Sequence, residues 1–201
     1  MSTRLDSIVR NSLSILLLVF CAACASFRGE ELPQRDPGEL ERSERLPPVT
    51  YELANAYGTT VASQAGTSDA CIDRVLRKAF SEVERRESEA GLHLDFHYTT
   101  RTRQPTFTMG MVLLSIVSLG LIPAYGRGDL SLTVLVEVDG RIAGRYGYED
   151  HVDTWVHLFV IPWAYSHDPV EVEEAVLENM LLNFLHDLRR DLPGFPKPAA
   201  S

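Results

Sequence analysis

Cysteine is scarce in this chain: three in 201 residues, Cys21, Cys24 and Cys71. That scarcity excludes a fold stapled by several disulfides. Positive charge is also short. With 19 Lys and Arg against 28 Asp and Glu, the formal net charge is −9. Such a surface excludes nucleic acid and anionic headgroups as electrostatic partners. The familiar catalytic signatures are missing as well. There is no Gly-x-Ser-x-Gly elbow, no phosphate-binding glycine loop, and no Cys-x-x-Cys beyond Cys24. No catalytic residue is nominated, and the chain is read as non-enzymatic. Charge disappears altogether from Gln104 to Gly126, a stretch of 23 residues.

What is present begins at the N-terminus. Arg4 and Arg10 precede the apolar run Leu13–Phe20, and the small residues Ala22 and Ala23 stand directly before Cys24. Charge, apolar run, small residues and cysteine, in that order, make an export signal. Cys21-Ala22-Ala23-Cys24 resembles the bacterial lipoprotein signal, with Cys21 where leucine is usual. The resemblance implies cleavage after residue 23 and lipidation of Cys24 by a diacylglycerol and an N-acyl chain, the only cofactor-like group expected. Cys21 is a poor acceptor because the bulky Phe20 precedes it. By the sorting habit of bacterial lipoproteins, the resemblance further implies, from Ala25 rather than aspartate after the cysteine, the outer membrane, facing the periplasm, over the inner membrane. Two other readings stay open: ordinary cleavage at Ala23-Cys24-Ala25, and an uncleaved anchor, although the run is short of the ~20 residues of a span.

Processing removes Arg4, Arg10 and Asp6, leaving 17 basic and 27 acidic residues. Cys71 is then left without an intramolecular partner. Its place in an amphipathic pattern reads as a buried small side chain; a reactive thiol is the alternative. Residues 24–48 hold the lipidated cysteine and a segment rich in proline and glutamate, including Pro33, Pro37, Glu39, Glu41, Pro47 and Pro48. This composition predicts a disordered tether, with a reach of roughly 25–30 Å. A single α+β domain is predicted over 49–192, and 193–201 reads as a flexible tail.

Within the domain the hydrophobic periods are legible. Val49, Tyr51 and Leu53 alternate as in a strand. Ile72, Val75, Leu76, Ala79, Phe80 and Val83 recur at helical spacing, with Thr67, Ser68 or Asp69 as N-cap and Gly91 as stop. Leu92–Tyr98 and Leu130–Val138 alternate again, and Asp139-Gly140 signals a hairpin into a strand around Ile142–Tyr148. A last helix starts at Asp168-Pro169 and carries Val170, Leu177, Leu181, Phe184, Leu185 and Leu188 on one face, with Arg189 and Arg190 at its C-terminal end. The architecture predicted is a two-layer sandwich: two amphipathic helices on one face of a mainly antiparallel sheet of about four strands, with apolar inserts.

The inserts are 107–123 and 155–165. Both end in Ile-Pro followed by aromatic residues: Ile122-Pro123-Ala124-Tyr125 and Ile161-Pro162-Trp163-Ala164-Tyr165. The run Leu119 to Pro123 resembles a Leu-Gly-Leu-Ile-Pro segment of uncharacterised proteobacterial lipoproteins, a family with no activity to lend. Three readings are open for Leu113, Leu114, Ile116, Leu119, Ile122, Tyr125, Trp155, Trp163 and Tyr165. One is a membrane span, although the 16 residues from Phe107 to Ile122 reach only roughly 24 Å as a helix. Another is a lobe dipping into the leaflet, with interfacial aromatics. The third is core, or a docking surface for an envelope protein. A pocket carrying a hydrophobic ligand is a further alternative.

His93, Asp95 and His97 alternate on one side of a predicted strand and are the sharpest metal candidate, with Glu149, His151 and Asp153 repeating the spacing. No fourth ligand is visible, and a solvent-facing polar edge gives the same pattern, so no metal is assigned; a metal-binding protein or enzyme using the His93, Asp95 and His97 strand stays as an alternative. Arg127-Gly128-Asp129 matches an adhesion tripeptide but reads as an exit turn. The functional expectation is a membrane-anchored envelope lipoprotein, structural or accessory, held by its lipid and contacting the membrane or an envelope complex.

Overall fold

A computed structural model describes residues 24–55, 62–86, 90–103, 105–118, 122–157 and 168–195. In chain order they form β1 (Cys24–Arg28), α1 (Pro37–Arg42), β2 (Val49–Asn55), α2 (Ala62–Ala79), β3 (Val83–Arg85), β4 (Leu92–Arg103), α3 (Pro105–Val117), β5 (Ala124–Val138), β6 (Arg141–Val156) and α4 (Pro169–Asp191), followed by a 3-10 turn at Leu192–Gly194. The fold class is α+β, as predicted. The sheet has six strands rather than four, in the order β1-β6-β5-β4-β2-β3, and it is mixed. β1 runs antiparallel to β6, whereas β2 runs parallel to both β3 and β4.

Parallel neighbours need a long crossover, and α2 supplies it. The helix is already under way at Ala62, ahead of the predicted cap, and ends at Ala79 rather than near Gly91. Its end is set by pairing. The Leu46 amide donates to the Ala79 carbonyl at 2.8 Å, and the Ser81 amide donates to the Leu46 carbonyl at 2.9 Å. The Phe80 amide keeps its helical bond to the Leu76 carbonyl at 2.9 Å, but these bonds place Phe80 in a bridge with Leu46 and end the helix there. Val83, which fits the helical period, therefore lies in β3. Gly91 instead precedes β4 with a φ of 81°.

The described residues divide into two compact units. The larger comprises Gly29–Arg101, Asp129–His151 and the described part of Glu173–Ser201. Its core is a chain of edge-to-face rings: Tyr51 on Phe96 at 6.2 Å, Phe96 on Phe184 at 5.9 Å, and Tyr146 on Phe184 at 5.5 Å. Such pairs contribute about 0.5–1.5 kcal/mol each beyond their buried area. Phenol hydroxyls lock the helices to the sheet. Tyr51 donates to Asp73 in α2, and Tyr98 and Tyr148 donate to Glu173 and Asp187 in α4. With Tyr51 and Phe96 in ring contact, both helices lie on one face, as predicted. Asp168 caps α4 through the Val170 amide at 2.8 Å. Val170 itself is exposed, while Val176, Leu177, Met180, Leu181, Phe184, Leu185 and Leu188 are buried.

The hairpin at Asp139-Gly140 forms with both residues at positive φ, 50° and 70°, as a two-residue turn between twisted strands requires.

The predicted tether over 24–48 is not a tether. β1 is paired residue for residue with β6, from Cys24 opposite Val156 to Arg28 opposite Val152. Gly29 then passes so close to Asp150 and His151 that an added Cβ would sit 2.5 Å from their side chains. Further on, the Pro33 carbonyl accepts from Asn179 at 3.2 Å and Asn183 at 3.0 Å, and the Arg35 amide donates to Asn179 Oδ1 at 3.0 Å. α1 is capped by Asp36 and buries Leu40. Composition misleads here because it does not record partners distant in the chain: the segment's few apolar groups, Ala25, Leu40 and Leu46, are buried. Its backbone is held by two buried asparagines about 145 residues later in the chain, each such bond contributing about 0.5–1.5 kcal/mol net.

Candidate functional site

The smaller unit comprises the described parts of Met1–Arg28, Thr102–Gly128 and Val152–Val172. Its helix, α3, takes proline at its first position and carries no charged residue. A charge-free helix in a water-soluble fold buries its apolar side chains in a core. This one does the reverse. Met109 is 63% exposed, Leu113 55%, Leu114 52% and Val117 82%, whereas Ser115 is fully buried. The Ser115 hydroxyl has no partner among the described residues. Residues 109, 113 and 117 are spaced by four, so they share one face of the helix. That face is the outer one. After α3, Ser118 turns the chain: its hydroxyl donates to the Ser115 carbonyl at 3.1 Å and accepts from the Ile122 amide at 3.0 Å.

A second apolar element lies in the same unit. The rings of Tyr125, near the start of β5, and Trp155, near the end of β6, pack with centroids 4.9 Å apart. The Tyr125 hydroxyl donates to Asp153 Oδ1 at 2.7 Å, and this bond to a carboxylate holds its pKa above the ordinary phenol value. Trp155 is 40% exposed. It stands directly opposite Ala25 in the β1–β6 ladder, one register position from Cys24. The Ser26 and Thr154 hydroxyls, on the other side of the ladder, bond each other at 2.8 Å.

Of the contact residues nominated from sequence, Leu113, Leu114 and Ile122 are exposed. Tyr125 and Trp155 are brought together. The side chain of Ile116, and all of Leu119, Trp163 and Tyr165, lie outside the described residues, as does the predicted signal segment 1–23. No helix among the described residues is long and apolar enough to cross a membrane. α3, at 13 residues, is roughly 20 Å long, against a hydrocarbon core of ~30 Å. The core reading fails for the outer face of α3.

The metal candidate comes apart. His93 is buried, with its Nδ1 2.9 Å from the Thr50 hydroxyl. Asp95 and His97 do meet, at 2.9 Å. Glu149, His151 and Asp153 cannot join them, because β5 lies between β4 and β6. Asp153 is bonded to Tyr125, and His151 lies 3.1 Å from Glu31. Among the described residues no group of three or more His, Cys, Asp or Glu is placed to hold a metal ion. Arg127-Gly128-Asp129 is strand, inside β5, rather than a turn. Cys71 is buried, and burial pushes its thiol up to about 12, which removes the thiolate that reactivity needs.

Sequence reasoning missed Asn179 and Asn183. Their signal was two amides four residues apart on the apolar side of a helix, where an unpartnered amide is costly.

No family model matches this chain, and no curated protein sequence is similar to it. Distant likenesses exist among solved structures. A minor lipoprotein from Acinetobacter baumannii aligns at a TM-score of 0.36 and 9% identity, over 76% of this chain and 96% of that one. A neuraminyllactose-binding hemagglutinin homolog from Helicobacter pylori aligns at 0.40 and 8%, over 79% and 88%. The PelC dodecamer from Paraburkholderia phytofirmans aligns at 0.27 and 11%, over 77% and 96%. At these scores the likenesses lend the chain no activity.

Proposed function

We propose that this chain is a bacterial envelope lipoprotein, anchored through a diacylglycerol and an N-acyl chain on Cys24 and facing the periplasm from the outer membrane as a non-catalytic structural or accessory component. The observation that carries the reading is the N-terminal order of charge, apolar run, Ala22-Ala23 and cysteine. Cys24 is also the first residue of β1, so cleavage before it leaves the whole strand in the mature chain. Several acyl chains on one residue suffice for stable anchoring, since each buried methylene contributes about 0.8 kcal/mol and a single chain is marginal. The mechanism is confinement: anchoring raises the local concentration of the folded unit at the membrane for any envelope partner.

Metabolic labelling with palmitate tests this directly. The full-length chain takes up label and fractionates with outer membranes, and Cys24→Ser abolishes both. A Cys24→Ser chain that is still cleaved and labelled would sink the anchor.

A further inference from the structure

We propose that the smaller unit makes a second, non-covalent contact with the same leaflet that receives the Cys24 lipid, inserting the outer face of α3 together with the Tyr125–Trp155 pair. This inference rests on the anchored reading and deepens it.

Three observations identify hydrocarbon as the occupant. The first is the inverted polarity of α3: Met109, Leu113, Leu114 and Val117 face out while Ser115 is buried. A helix of this kind is matched to an apolar solvent on its outer side. The second is the absence of formal charge from Gln104 to Gly126. The helix therefore has no charged group to desolvate on entering hydrocarbon, and the charges nearest the patch, Asp153 and Arg127, lie at the Tyr125 hydroxyl. The third is continuity with the anchor. Cys24 opens β1 with no intervening linker, and Ala25 stands opposite Trp155. The acyl chains therefore enter the leaflet at a strand that is paired with the Trp155 strand. Tyr125 and Trp155 are residue types that settle at the headgroup boundary, with apolar rings and a polar tip. The Tyr125 hydroxyl on Asp153 fixes that boundary: a carboxylate stays at headgroup level, so the contact is a shallow dip and not a span.

The test uses the full chain carrying Trp163→Phe, which leaves Trp155 as its sole tryptophan. It is reconstituted in vesicles of phosphatidylethanolamine and phosphatidylglycerol carrying brominated acyl chains. Trp155 emission falls most with bromine near the headgroup end of the chain. The unlipidated Cys24→Ser form keeps a residual affinity for the same vesicles without bromine, and Leu113→Glu with Leu114→Glu lowers that affinity roughly tenfold per leucine at unchanged circular dichroism. Lipidated protein that floats with vesicles while Trp155 stays unquenched overturns the proposal and leaves the anchor standing. Loss of palmitate labelling with retained Cys24→Ser binding does the opposite. A Cys24→Ser form that self-associates with rising concentration and ignores vesicles overturns the proposal in favour of a second copy as the occupant.

Discussion

Helices α3 and α4 solve the same problem in opposite directions. α4 has 23 residues and turns Val176, Leu177, Met180, Leu181, Phe184, Leu185 and Leu188 inward. Its acids meet the sheet through phenols, and its Asn179 and Asn183 hold the N-terminal segment. α3 has 13 residues, turns its leucines and Met109 outward and buries a serine. Water alone explains α4. It does not explain α3, whose exposed side chains would gain from any apolar neighbour. The difference teaches that apolar content does not say where a helix goes; the polarity of what is buried does.

Substitutions can break this comparison. The largest effect falls on α4: Phe184→Ala, at the junction of two ring contacts, lowers stability by about 3–5 kcal/mol. Urea or thermal unfolding reads it, and a loss below 1 kcal/mol would contradict the packing described. Next comes the asparagine clasp. Asn183→Ala leaves the Pro33 carbonyl and the Arg35 guanidinium short of a partner, costing about 1–3 kcal/mol. Limited proteolysis then cuts within residues 29–45 before the rest of the larger unit; unchanged protection would mean the clasp contributes nothing.

The phenols come third. Burial, followed by the Asp73 carboxylate, lifts Tyr51 to about 12, and burial with the Asp191 hydrogen bond lifts Tyr146 to about 12. A phenol raised on folding stabilises the fold fully below its ordinary value near 10, and that contribution is lost as pH climbs through about 12. Stability therefore falls between about pH 10 and 12. Tyr146→Phe makes that fall shallower and costs about 1 kcal/mol at neutral pH; unfolding curves across the pH range check the slope. The smallest effect belongs to α3. Leu113→Gln in the unlipidated chain changes stability by no more than about 0.5 kcal/mol in water. A cost of several kcal/mol would place Leu113 in a core and end the contrast with α4.

Much of the larger unit was legible because its periods are clean. Leu132, Val134 and Val136 alternate with polar neighbours, and Leu177, Leu181, Phe184 and Leu188 recur at three and four. The β5–β6 hairpin was written in Asp139-Gly140. Val83 was misread because the helix ends where Phe80 bridges to Leu46, a pairing that no local pattern records. The segment after Cys24 was misread for a related reason: its partners, β6 and two α4 asparagines, are more than 120 residues away. The membrane-contact candidates were legible as residue types only. Sequence supplied Leu113, Leu114, Tyr125 and Trp155, but their facing and pairing come from strand register and helix phase.

The sequence by itself determined the N-terminal order of charge, apolar run, small residues and cysteine on which the proposed anchor rests, the net negative charge, the α+β composition and the charge-free stretch from Gln104 to Gly126. Those are properties of local order and count. Tertiary structure alone decided that β1 starts at Cys24, that β5 keeps the two histidine-bearing strands apart, and that Ser115 turns in while the leucines turn out. Each depends on contacts between residues distant in the chain, where burial and hydrogen bonding override what a short window of sequence prefers.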